Sequence, residues 1–166
     1  MQVIKKFLDL SETALSVVCV LSFAAMFVLG IATVVFRFII ESSLAFPDEL
    51  IRYLFIWMIS LGSAVALRRN LHAAIGVVVS HLPLALHRTA VVSATLLGMV
   101  FFVLILINGL RLTLRVQPQI SPALEISMAW VYGAIPVGMA FLILYSLELT
   151  VKQLRAPAAE LLSEGQ

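Results

Sequence analysis

The side chains able to do chemistry lie mostly between four long uncharged runs, at 13–36, 53–67, 89–110 and 126–147. The densest group is Asp48, Glu49 and Arg52, just ahead of the second run. Arg52 follows Glu49 by three residues and Asp48 by four, so on a helix either acid can pair with its guanidinium. Such a group reads either as an ion pair at the edge of an apolar layer or as a polar clasp offered to a partner. Trp57 follows further along the same stretch, where its indole can pack on a partner or on acyl chains. His72, His81 and His87 invite a haem or metal reading, but they fall in one short segment. Haem inside a helical bundle needs histidines projecting from facing helices, so these read as interfacial polar residues. The single thiol, Cys19, can form no intrachain disulfide and has no nearby histidine with which to hold a metal. No nucleophile elbow, zinc-protease helix or phosphate loop occurs. The expectation is no enzyme, no cofactor and no metal site in this chain.

The elements that position these residues are set by the apolar runs. The chain of 166 residues is 62% hydrophobic and 12% charged, and soluble domains carry about twice that charge. Its mean hydropathy is +1.10. Three of the runs have the roughly 20 residues that a helix needs to cross a hydrocarbon core of about 30 Å. The second, 53–67, would rise only about 22 Å, so its helix must extend back through Arg52, Glu49 and Asp48. Pro47 fits the first turn, where a missing N–H is harmless. The two acids there complement the helix dipole, as do Arg68 and Arg69 at the far end.

The fold class expected is all-α integral membrane, with a single four-helix membrane domain over 1–156. Its spans fall at about 13–38, 48–69, 84–111 and 122–150, followed by a polar tail at 157–166. Between spans two and three, Leu71, Ile75, Val78, Val79 and Leu82 share one helical face of 70–82, which suits a short amphipathic helix lying in the interface. Ser121–Pro122 reads as the N-cap and first position of the fourth span. Pro136 should kink that span or leave a carbonyl unpaired. Lys5 and Lys6 precede a run too long for a signal core, so the start reads as a retained first helix.

Small residues mark helix contacts. Ser60 with Ala64 and Gly62 with Ala66 recur at four-residue spacing in span two, as do Ala129 with Gly133 and Ala134 with Gly138 in span four. Packing within a four-helix bundle accounts for most of them. No run carries a charge near its centre, and Thr33, Ser60, Ser63, Ser93 and Thr95 are the strongest central polar groups of the first three spans. Hydroxyls of this kind bond back to their own helix, which leaves the chain without equipment for ion coupling. Lys5, Lys6, Arg68, Arg69, Arg88, Lys152 and Arg155 fall on one side of the membrane, and Arg37, Arg52, Arg111 and Arg115 on the other. The excess puts both termini in the cytoplasm. A net charge of +2 gives no reason to expect nucleic acid.

Two stretches carry a family resemblance. Glu49-x-x-Arg52-x-x-Phe55-x-Trp57, followed by Gly62, Ala66, Arg68 and His72, resembles the signature region of the DctQ-type small membrane subunit of tripartite ATP-independent periplasmic (TRAP) transporters. Ser121-Pro122-Ala123-Leu124-x-Ile126, then Tyr132-x-Ala134-x-Pro136-x-Gly138, resembles that family's fourth helix, with Glu125 standing where an uncharged residue is commoner. The resemblance implies a bacterial inner-membrane protein that pairs with a large membrane subunit. That subunit carries substrate and sodium by an elevator-like motion, and a soluble periplasmic protein delivers the solute. The small subunit would enlarge the static scaffold and help dock the binding protein. Sodium coupling belongs to the large subunit, and the solutes are organic acids such as sialic acid, C4-dicarboxylates and keto acids. Asp48, Glu49, Arg52, Trp57, Arg68 and His72 become the candidates for the partner-facing clasp. The competing expectation is a self-sufficient small homodimeric transporter. Such transporters use an acid embedded in their first span, and 13–36 has none.

Overall fold

A computed structural model describes residues 2–40, 46–69 and 84–155. The described chain is helical apart from the turns around 116–127: α1 is Gln2–Phe38, α2 Phe46–Arg68, α3 Leu84–Arg115, α4 Met128–Tyr132 and α5 Ala134–Arg155. Four stretches are long and apolar enough to cross a membrane: Lys5–Phe38, Phe46–Arg68, Val92–Arg115 and Met128–Lys152, the last running through α4 and α5. The interfacial helix expected at 70–82 and the tail at 157–166 lie outside the described residues, as do His72 and His81.

α2 begins where its span length demands. Pro47 is buried in its first turn beside Asp48 and Glu49, and its 23 residues rise about 34 Å, enough to cross.

The fourth span begins later than Ser121–Pro122 predicts. Those residues open a single turn, in which the Leu124 N–H donates to Ser121 Oγ at 3.3 Å and the Glu125 N–H to the Ser121 carbonyl at 3.2 Å. Glu125 then takes φ = +53°, which leaves the right-handed helical region and ends the turn. Ser127 is the actual N-cap: its Oγ accepts the Ala129 N–H at 3.3 Å and donates to the Gln117 carbonyl at 2.7 Å. Bonds from Ser121 N–H to Ile126 O and from Met128 N–H to Gln119 O, both 2.9 Å, close 119–128 into a hairpin-like loop. The break foreseen from Pro136 falls at Gly133, between α4 and α5. Proline has no N–H to give the carbonyl four residues back, which here belongs to Tyr132, the last residue of α4.

The helices are not a closed bundle. They stand in a row, α1–α2–α5–α3, in which α2 packs between α1 and α5, and α5 between α2 and α3. The core lies among α1, α2 and α5, around Leu8, Leu15, Leu61, Val65, Leu142 and Tyr145. The flanking helices α1 and α3 leave broad apolar faces uncovered, including Leu21, Phe23 and Phe27 on one and Leu97, Phe101 and Leu104 on the other. A row closes no second side over its outer members, and in lipid an exposed apolar face carries no hydrophobic penalty.

Ser60, Gly62 and Gly138 sit at helix contacts. At Gly138 an added Cβ would stand 2.7 Å from the Ser60 carbonyl oxygen, so α2 and α5 touch backbone to backbone there. Ala64 and Ala134 are fully buried. Gly62 turns toward α1, where a Cβ would meet Cys19 Sγ at 3.8 Å. Ala66 and Ala129 are half-buried, and the Ala129 carbonyl accepts the Gly133 N–H at 2.8 Å. The α3–α5 contact uses a glycine that the four-residue spacings did not mark: Gly109 receives Ile135 and Pro136, with a Cβ there only 3.2 Å from Ile135.

Candidate functional site

Two polar clusters cap α2. They lie about 28 Å apart along its axis, from Glu49 to Arg68. Among the mid-span hydroxyls, Thr33 of α1 donates to the Leu29 carbonyl at 2.9 Å and Ser63 of α2 to the Ile59 carbonyl at 2.7 Å.

The first cluster is built on Arg68, whose side chain is only 9% exposed. Its Nε donates to Glu148 at 2.8 Å and its Nη2 to Asp9 at 2.5 Å and to Glu148 at 3.2 Å. Its Nη1 donates to Glu12 at 2.6 Å and to the Leu8 carbonyl at 2.9 Å. All five guanidinium N–H groups therefore have acceptors. The charge also lies 5.4 Å from the centre of the Tyr145 ring, a cation–π distance. The Tyr145 hydroxyl is 3.0 Å from Ser11 Oγ. Arg69 extends the group outward, donating to Glu12 at 2.6 Å and to Ser16 at 3.1 Å. Acids from α1 and α5 thus close on one cation from α2.

Within this chain all five Arg68 donors are used. Asp9, Glu12, Ser11, Tyr145 and Glu148 escaped assignment to the site, although a signal for them exists. Asp9, Glu12 and Ser16 share one face of α1, and Tyr145 with Glu148 shares one face of α5.

The second cluster is built on Glu49, which is 2% exposed. It does not pair with Arg52. One carboxylate oxygen accepts the Tyr53 hydroxyl, and the other accepts the Ala123 N–H at 2.8 Å. Asp48 and Arg52 are exposed, and among the described residues neither enters an ion pair. The loop approaching from the α3–α4 connection reaches Glu49 first, and a neutral N–H together with a phenol satisfies a buried carboxylate without burying a second charge. Trp57 is half-buried, and its indole N–H donates at 3.1 Å to the Trp130 carbonyl near the end of α4. Glu49 and Trp57 therefore tie α2 to the loop and to the broken helix, leaving Asp48 and Arg52 as the outward pair.

The arrangement holds helices together at both ends, and the described residues contain no group of three or more acids, histidines or cysteines able to hold a metal ion.

Residues 26–156 match the family described as tripartite ATP-independent periplasmic transporters, DctQ component. Two proteins of Haemophilus influenzae that carry the name TRAP transporter small permease protein are similar to the chain. One is 37% identical over 70 residues, covering 42% of this chain and 44% of that protein. The other is 25% identical over 147 residues, covering 87% of each. A Rhodobacter capsulatus protein named C4-dicarboxylate TRAP transporter small permease protein DctQ is 30% identical over 102 residues, or 60% of this chain and 45% of that protein.

Proposed function

The chain belongs to the DctQ-component family of tripartite ATP-independent periplasmic transporters, and from that premise we propose that it is the static accessory subunit of such a transporter. It pairs with a large membrane subunit and helps a periplasmic solute-binding protein to dock. The large subunit performs sodium-coupled uptake of an organic acid. The class follows the C4-dicarboxylate in the name of the Rhodobacter capsulatus relative, and sialic acid belongs to the same carboxylate class.

The observation that carries this reading is the double lock on α2. Arg68 joins three helices at one end, and Glu49 joins the 119–128 loop at the other. A helix pinned at both ends and pressed backbone to backbone on its neighbour at Ser60 and Gly138 suits a scaffold, since interfaces of this kind do not slide by small steps. Asp9, Arg68 and Glu148 converge where α1 starts and α2 and α5 end, which supports placing the start of α1 and the end of α5 on one side of the membrane. The lysine and arginine excess favours the cytoplasmic side.

Mild-detergent purification of the tagged chain from cells that also produce its large membrane subunit tests the pairing. The large subunit copurifies, and proteoliposomes holding this chain alone take up no solute. Uptake by the chain alone would replace this reading with that of a self-sufficient transporter.

A further inference from the structure

The two flanking helices differ in what they expose. From 17 to 36, the exposed residues of α1 are all apolar. α3 instead presents Leu97, Phe101, Leu104, Asn108, Arg111 and Arg115, all exposed, at alternating spacings of four and three. That spacing is the one at which a helix packs a/d residues against another helix at a shallow angle, and unlike the parallel apolar register through Leu96, Val100, Val103 and Ile107 it carries polar groups. The seam borders an open groove that Ile135 of α5 also lines. Asn108 sits in the seam two turns inside Arg115. Its Nδ2 donates to the Leu104 carbonyl at 2.8 Å, and among the described residues its carbonyl oxygen and second N–H have no partner. In lipid a half-used amide drives helix association, because another helix is the available source of a partner. A single asparagine in a heptad seam also fixes register.

The charges at the end of the seam decide the occupant. Two copies inserted in the same sense would pack parallel about an axis normal to the membrane. Arg111 and Arg115 would then face their own counterparts, and like charges across a seam repel. Neither arginine is in an ion pair among the described residues. Resting on the accessory-subunit reading, we propose that the Leu97–Arg115 seam of α3 docks a transmembrane helix of the large subunit. That helix carries a hydrogen-bonding side chain level with Asn108 and acidic residues level with Arg111 and Arg115. α1 faces lipid.

The test is site-specific photocrosslinking in membranes that hold the tagged chain and its large subunit, with benzoylphenylalanine at Leu104 or at Phe27. Crosslinks to the large subunit are expected from the Leu104 position and not from Phe27. Asn108→Leu, or Arg111→Glu with Arg115→Glu, lowers recovery of the large subunit about fivefold or more while leaving the thermal unfolding of the isolated chain unchanged. The proposal is overturned if the large subunit copurifies but crosslinks only from Phe27. It is overturned equally if the Leu104 position crosslinks only to lipid or to a second copy of this chain. Failure of the unaltered chain to copurify the large subunit sinks the accessory-subunit reading itself, an outcome that crosslink position does not imitate.

Discussion

Arg68 and Arg69 are neighbours in sequence with opposite energetic weight. The Arg68 side chain is 9% exposed and serves three carboxylates, whereas Arg69 is 52% exposed and shares Glu12. Removing one partner of a fully buried pair costs about 3–5 kcal/mol and an exposed pair is worth about 1 kcal/mol or less; with Glu12 and Glu148 21% and 28% exposed, the Arg68 group falls between the two. Arg68→Ala is therefore expected to lower the unfolding temperature in detergent sharply, and Arg69→Ala barely. Equal effects would show that the five-bond geometry carries no stability. Arg68→Lys does not rescue, because an ammonium has three donors and no planar fork. Glu49 makes a second case. Glu49→Ala removes the acceptor of both the Tyr53 hydroxyl and the Ala123 N–H. An unsatisfied buried donor costs about 1–3 kcal/mol, so hydrogen exchange at the Ala123 amide is expected to speed up about tenfold.

At the scale of elements, the crossing of α2 and α5 depends on one missing methyl. Alanine at 138 would place its Cβ within 2.9 Å of the Ser60 carbonyl carbon and oxygen and of Ser60 Cβ, so the two helices must separate. Overpacking of this kind costs about 1–3 kcal/mol. Gly30 of α1 has nothing within 4 Å of a built Cβ, and alanine is the better helix former by about 1 kcal/mol. Gly138→Ala is expected to destabilise the detergent-solubilised chain and Gly30→Ala to leave it unchanged or firmer, as read by thermal unfolding. The break between α4 and α5 has a similarly local cause. Pro136 denies the Tyr132 carbonyl its donor, and Trp57 of α2 donates to the Trp130 carbonyl close by.

The molecule as a whole is a row of helices, bolted at both ends of α2 and open on its two flanks. The Arg68 cluster gathers the start of α1, the end of α2 and the end of α5, so the first and last of the described helices meet at these ends. A reporter that is active only in the periplasm is expected to be silent when fused after Gln166, and activity there would reverse the orientation. With α1 and α3 each packed chiefly on a single neighbour, much of their apolar surface is left exposed, as the accessory-subunit role proposed above requires.

Four spans, the backward extension of α2 through Asp48 and the close approaches at Ser60, Gly62 and Gly138 were legible in the sequence. Each depends on residues within a few turns of one another, where span length and side-chain size leave little choice. The Ser121–Pro122 start was misread for a local reason as well: a good capping pair opens a turn, and whether the turn continues depended on Glu125 taking φ = +53°. The two clusters belonged to the tertiary structure. The partners of Arg68 lie 56 to 80 residues away, and Glu49 gave up Arg52 for an N–H 74 residues distant. A charge at a helix end has the same local chemistry whether it meets water, a headgroup or another helix. Only the order of the row, α1–α2–α5–α3, decided which of these it would meet.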